Sequence, residues 1–295
     1  KNHIEVLHIH DIQIASSVFL ANKTFNLEVV LDLHENRPEI MKEYKHVKSF
    51  IGQMLIKPIN WKKAEEKFSK QSNNVVVVSE LAKDELITRT GLKKEKLVVF
   101  PNTVSEVFYT DYKIDENIIN KYSDLFVLLY LGNTSKRRGI DLVLDSIPEI
   151  IKEIKNFKFV VVGSSSYDKI IKEKVKKLGI SNFVDLEGWK DENLFQSYIK
   201  SSKIGVSPLV SNIHHDTTYA NKIFQYISLA CPVLCSDVKA QDELINKYNF
   251  GLSFQTGNRE DFIKKVYLFY RDLELRESLQ KNCLNAILNH LNNSI

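Results

Sequence analysis

Thr217-Thr218-Tyr219-Ala220-Asn221-Lys222-Ile223-Phe224-Gln225-Tyr226-Ile227-Ser228-Leu229-Ala230-Cys231-Pro232-Val233-Leu234-Cys235-Ser236-Asp237 reads as a helix running straight into a buried strand. Ala220, Ile223, Phe224, Ile227 and Ala230 recur at helical spacing. Pro232 stops the helix, and Val233-Leu234-Cys235 is short, apolar and strand-like. Asp216, Thr217 and Thr218 are the candidate N-caps. A helix start there offers unpaired N–H groups and a positive dipole end to an anion. The pattern sets Asn221, Lys222 and Gln225 on the polar face beside that anion.

Outward from this block, apolar strand-like runs alternate with helix-length segments: Ile4–Ile9, Leu27–Leu33, Val75–Val78, Leu97–Phe100, Phe126–Leu131, Lys158–Val162, Phe183–Leu186, Ile204–Val206, Pro232–Cys235 and Gly251–Ser253. Continuous apolar strands with crossover helices predict an α/β fold of parallel sheets flanked by helices. Pro101-Asn102-Thr103-Val104 and the polar, tyrosine-rich stretch to Ser123 read as a linker between two Rossmann-like units. The expected domains are 1–104 and 105–272, followed by a long terminal helix within 273–295. The chain starts at Lys1 and drops straight into a strand, so the first domain is expected to be incomplete, its start truncated.

The chain has 295 residues, 43% of them hydrophobic, enough for two buried cores. A net charge of +4 argues against a dedicated nucleic-acid binder. Cys231, Cys235 and Cys283 form no C-x-x-C pair and read as buried free thiols in a reducing, cytoplasmic setting. No apolar run approaches the ~20 residues that span a bilayer. Phe50–Lys70 mixes Ile51, Met54, Leu55, Ile56, Ile59 and Trp61 with Lys57, Lys62 and Lys63. It reads either as helices packed on the first sheet or as peripheral contact with the inner face of a membrane.

Several strand ends carry chemistry. Gly132 follows the strand Phe126–Leu131 and precedes Lys136-Arg137-Arg138-Gly139, a loop able to clamp a pyrophosphate or simply to lie in solvent. Gly163 ends the next strand before Ser164-Ser165-Ser166, where a serine-capped turn is an equal reading. Gly188-Trp189 follows a third, and Trp189 either stacks on a base or covers the domain edge. Alternation puts His8 and His10 on one face of the first strand, His10 nearest its carboxyl end, where open α/β sheets bind ligands. Asp32-Leu33-His34-Glu35 ends the second strand, with Glu35 open to reading as a cap. His214-His215-Asp216 reads either as a metal-binding trio or, preferably, as a loop lining a pocket. No G-x-G-x-x-G fingerprint occurs, so nothing points to NAD or FAD. No D-x-D motif occurs either, and no metal or other cofactor is expected.

Together these blocks resemble the GT-B glycosyltransferases of the retaining, family-four type, over nearly the whole chain. The resembling wording is P-N-K-x-F-E-Y-x-x-x-G-x-P-V for the block after Thr218, G-x-x-x-x-(R/K)-G for Gly132 to Gly139, H-x-H-(D/E) at His8 and D-x-H-E at Asp32. The resemblance implies a metal-independent transferase that moves a sugar from a nucleotide-sugar donor, UDP or GDP, to a glycan or lipid-linked acceptor in cell-envelope polysaccharide synthesis. It implies donor binding by Gly132, Arg137, Arg138, Gly163, Gly188, Trp189, Thr218, Asn221, Lys222 and Gln225. It assigns His10 and Thr217 to the transferred sugar, and His34 and Glu35 to the acceptor side. It also implies that the terminal helix crosses back onto the first domain. Thr217 and Gln225 stand where the family has two glutamates, and Ala230 stands where it has a helix-ending glycine. Two other readings follow from the same blocks: a homologue that binds nucleotide or glycan without transfer, and a sugar-nucleotide epimerase.

Overall fold

The computed structural model describes residues 3–42, 47, 56–289 and 291. The chain forms two compact units. Unit 1 is Lys1–Asn102 with Asn212–Tyr219; unit 2 is Thr103–Ser211 with Ala220–Ile295.

In unit 1, four parallel strands lie in sequence order: β1 (Val6–His10), β2 (Glu28–Leu33), β3 (Asn74–Val77) and β4 (Leu97–Val99). The core-facing residues Ile9, Val29, Leu31, Val75, Val77 and Leu97 pack with Ala15 and Phe68 from the flanking helices. Trp61 and Ala64 lean on the same core from helix Pro58–Gln71, so this part of the amphipathic segment covers the sheet. Phe50 to Leu55 lie outside the described residues. No helix among the described residues is long and apolar enough to cross a membrane.

In unit 2, six parallel strands run β10-β9-β8-β5-β6-β7: β5 (Phe126–Leu131), β6 (Phe157–Val162), β7 (Val184–Gly188), β8 (Ile204–Ser207), β9 (Val233–Ser236) and β10 (Gly251–Phe254). Every residue of β5, β8 and β9 is buried, as strands covered on both faces require. The order reverses between β5 and β8, and that switch point is where open parallel sheets bind ligands, at the carboxyl ends of the strands. All ten expected strands form, each within two residues of its expected limits. The α/β architecture of two parallel sheets flanked by helices is as the sequence indicated.

Three expectations fail. The block from Thr217 does not hold one helix. Asn212 caps a short helix, Ile213–Thr217, by accepting from the His215 N–H at 2.9 Å. Thr218 is extended, and a second helix, Asn221–Ser228, starts behind Ala220 with no side-chain cap. Asp216, Thr217 and Thr218 therefore cap nothing, and His214-His215-Asp216 is helical rather than a loop. The tail of the block differs as well: helix Asn221–Ser228 ends three residues before Cys231, where Ala230 takes a left-handed φ of 58°. In that conformation the Cys231 N–H returns to the Tyr226 carbonyl at 3.0 Å. Finally, the terminal helix Leu273–Asn289 belongs to unit 2. There Leu279, Cys283, Ala286 and Ile287 are buried, and the helix packs on Asn221–Ser228, Lys239–Tyr248 and Arg259–Arg271.

A β-carbon in the left-handed region costs roughly 1–2 kcal/mol, partly offset because alanine restricts the unfolded chain more than glycine does. Ala230→Gly is expected to stabilise the protein by about 0.5–1 kcal/mol, read from the urea midpoint at unchanged slope.

Candidate functional site

The carboxyl ends of β5, β6 and β7 form a rim of glycines. The Gly132 N–H donates to the Val162 carbonyl at 2.8 Å, and the Gly163 N–H to the Gly188 carbonyl at 2.7 Å. Gly163 has a φ of +137°, and a β-carbon on it would lie 1.9 Å from the Gly132 oxygen. Only glycine fits there, and its fit lets two strand ends approach with their backbone uncovered by side chains.

Between Gly132 and Gly139 the loop is tied down by its own side chains. The Tyr130 hydroxyl donates to the Asn133 carbonyl at 2.6 Å, and Asn133 Oδ1 accepts from the Ser135 N–H at 3.0 Å. Buried Thr134 bonds Asp168, and Ser165 Oγ at 3.0 Å. Ser165 Oγ also accepts from the Tyr167 N–H at 3.0 Å, so this serine shapes the turn that leads into helix Asp168–Lys177. The loop then makes a single 3-10 turn, Lys136–Arg138, and enters helix Ile140–Glu153 through Gly139, which lies against the Pro208 carbonyl.

Helix Asn221–Ser228 delivers Lys222 beneath this rim. Its anchor is Tyr226, whose ring lies against Gly205 and whose hydroxyl accepts from the Leu131 N–H at 2.8 Å and donates to the Leu129 carbonyl at 3.1 Å. The expected polar face is thereby corrected. Asn221 is exposed and Gln225 half-buried, but Lys222 is 8% exposed and turned inward. Its ammonium sits 3.4 Å from the Tyr130 ring centroid, and the Gly132 β-position lies 3.8 Å from its Nζ. The aromatic face attracts the cation, but Nζ has no hydrogen-bond acceptor. Burial, and then the Arg138 guanidinium, pull the Lys222 pKa well below the ordinary lysine value. Two more buried polar atoms on the adjacent loop lack partners, Arg138 Nε and Ser135 Oγ. Three buried polar groups of this loop and the helix beneath it are thus left without partners, which is unusual for buried polar atoms. The Arg137 carbonyl accepts from the Val210 N–H at 3.2 Å. Trp189 is 74% exposed beyond Gly188. Just before it, Glu187 bonds Lys121, Tyr122 and Tyr198, which outweigh its burial and hold its carboxyl down at about 2.

In unit 1, β1 and β2 pair in register with His10 opposite Asp32. Asp32 Oδ2 lies 3.1 Å from His8 Nε2, 3.0 Å from His34 Nε2 and 3.9 Å from His10 Nδ1. The His10 and His34 rings lie 4.0 Å apart. Glu35 caps no helix side-chain-first; its carboxylate lies 3.8 Å from Arg37 and its carbonyl accepts the Arg37 N–H at 2.8 Å. Thr217 also belongs to unit 1. Its hydroxyl is used on the Ile213 carbonyl at 2.8 Å and its carbonyl on the Ser79 hydroxyl at 2.6 Å. The neighbouring Thr218 hydroxyl is buried without a partner.

Sequence reasoning missed Tyr130, Tyr226 and Ser135. The two tyrosines sit in apolar runs where they read as core, and only Gly205 facing the Tyr226 ring would have marked the second.

The family model described as glycosyl transferases group 1 matches residues 111–285, and the model for glycosyltransferase family 4 matches residues 1–107. The chain belongs to the glycosyl transferases group 1 family. The capsular polysaccharide biosynthesis glycosyltransferase CapM of Staphylococcus aureus is 22% identical over 76% of this chain and 59% of its own. The alpha-monoglucosyldiacylglycerol synthase of Streptococcus pneumoniae is 24% identical over 78% and 58%. The chain thus spans less than two thirds of these relatives. Among solved structures, Anabaena HepE in complex with UDP superposes with a TM-score of 0.79 at 13% identity, covering 98% of this chain and 75% of that one. A glycosyltransferase from Rickettsia africae gives 0.76 at 18%, covering 98% and 73%. These likenesses confirm the GT-B fold.

A lysine whose folded pKa lies below its unfolded 10.5 destabilises the fold at every pH under 10.5, fully so below the folded value. Lys222→Met is therefore expected to raise the urea midpoint at neutral pH. It should also flatten the rise in stability that the parent chain shows as pH climbs toward 10.5.

Proposed function

We propose that this protein transfers a sugar from a nucleoside-diphosphate donor to a glycan or lipid-linked acceptor, with unit 2 holding the donor. The observation that carries the reading is Lys222 Nζ, buried under the glycine rim with no acceptor, while Arg138 Nε and Ser135 Oγ of the adjacent loop are likewise unpartnered. A diphosphate supplies acceptors for all three and offsets the desolvation of the ammonium. Its second role comes in the reaction: as the sugar departs, the diphosphate gains charge, and fixed cations in a dry site stabilise it without reorganising. Gly132 and Gly163 let the phosphates approach the backbone, Trp189 stacks on the base, and Asn221 and Gln225 serve the ribose and sugar hydroxyls. No metal is needed to neutralise the leaving group. Retention of anomeric configuration, with His10 contacting the sugar and His34 and Glu35 on the acceptor side, completes the proposal for unit 1. Thr217 is not carried into it, because its hydroxyl is already used within its own helix. The two curated relatives, one named for a capsular polysaccharide and one for a glycolipid, favour an envelope acceptor, and peripheral contact with the inner face of the membrane belongs to the same proposal.

Thermal shifts against UDP, GDP, ADP and CMP test the pocket, with a shift expected for one nucleoside diphosphate and little for CMP. Arg138→Ala should weaken that nucleoside diphosphate by roughly 1–3 kcal/mol in calorimetry; unchanged affinity removes Arg138 from the site. The engaged hydroxyl of Thr217, standing where the family has a glutamate, favours a second reading, a binder without transfer. Nucleotide binding with no hydrolysis or transfer over a broad donor panel would establish that one instead.

Protonation gives an independent check. Phosphate beside Lys222 favours its charged form, so binding takes up a proton wherever the free amine is neutral. Affinity for the nucleoside diphosphate is expected to fall as pH rises toward the ordinary lysine range, and the binding enthalpy there to vary with the buffer's ionisation enthalpy. Lys222→Met should abolish both dependences.

A further inference from the structure

We propose that His10, Asp32 and His34, with His8 beside them, form a binding site for a late first-row divalent cation such as zinc. The strand register builds it. His8 and His10 stand two residues apart on β1, Asp32 ends opposite His10 on β2, and His34 follows two residues later. Side chains two apart share a face, so three imidazoles converge on one carboxylate from two hydrogen-bonded strands. One ligand atom from each of His10, Asp32 and His34 lies within 4.8 Å of the others. Tetrahedral zinc, with bonds of about 2.0–2.1 Å, holds its ligand atoms about 3.4 Å apart, within reach of small side-chain rotations. The Asp32 carboxylate already has His34 Nε2 at 3.0 Å and His8 Nε2 at 3.1 Å.

The donor set selects the metal. Two or three imidazoles and one carboxylate suit zinc, cobalt or nickel, whereas magnesium and calcium prefer oxygen ligands. The site is part buried and part open: the Asp32 side chain is 11% exposed, that of His34 28% and that of His10 68%. A cation can enter past His10 and meet an anion held within the sheet. Three protein ligands with His8 or water in the fourth place is a common zinc arrangement.

This cation is not a participant in sugar transfer. Bound, it occupies the imidazole nitrogen of His10, so it acts as a brake on whatever His10 contacts. That consequence rests on the transfer reading; the binding itself does not.

Full-length protein stripped with EDTA is titrated with Co²⁺ and followed by visible absorption, without nucleotide. Saturation at one equivalent, with the intense bands of four-coordinate cobalt that Zn²⁺ then bleaches, is expected. His10→Ala and His34→Ala should each weaken Co²⁺ at least about tenfold, while His3→Gln, an exposed histidine outside the cluster, should leave it unchanged. His10 is mostly exposed, so its variant folds even if that of His34 does not. Weak six-coordinate spectra, titration beyond one equivalent without saturation, or full binding by His10→Ala would overturn the proposal.

Discussion

Tyr226 is the contact on which the second unit's site depends. Its ring occupies space that exists only because residue 205 is glycine, where a β-carbon would lie 2.3 Å from the ring. Its hydroxyl bridges the Leu131 N–H and the Leu129 carbonyl, two groups of the central strand β5. Helix Asn221–Ser228 is thereby fixed to the last residues of β5, and four residues back along that helix is Lys222. The orientation that buries the tyrosine directs the lysine under Gly132 and over Tyr130. A solvated lysine would be the ordinary outcome of that sequence position. Burial without an acceptor is expensive for an ammonium and persists only because packing elsewhere in the helix overrides it.

The same logic explains why the anion site is made of unlike parts. The glycine rim supplies access, and the Tyr130, Asn133 and Thr134 bonds hold the loop in one shape. Lys222, Arg138 and Ser135 supply donors that the folded chain leaves unused. A rigid loop with unused donors is preorganised, since its electrostatic response to a charged ligand needs little further movement.

Much of this was legible beforehand. Runs such as Phe126–Leu131 and Val233–Leu234 are apolar along their full length, a pattern that only a covered parallel strand accommodates, and glycines at strand ends marked the rim. What was not legible was decided by tertiary contacts. Thr217 and Thr218 have excellent cap chemistry, yet Asn212 captured the earlier turn and Ala220 opened the next helix with no cap at all. The helical period placed Lys222 beside Asn221 on a polar face, because a periodicity cannot register that an aromatic ring waits on the inner side. The histidines were read strand by strand, and only the β1–β2 register joined His8, His10 and His34 around Asp32.

Unit 1 is assembled from two separated stretches, Lys1–Asn102 and Asn212–Tyr219. The later stretch carries the Thr217 carbonyl that accepts the Ser79 hydroxyl. On the ribosome the chain emerges from its amino end, and domains generally fold as units. The four-stranded sheet can therefore gather early, but its last helix arrives only after strands β5 to β8 have been synthesised. Maturation of the amino-terminal half is consequently clocked by translation of its successor, and a stall anywhere between residues 103 and 211 would strand it unfinished.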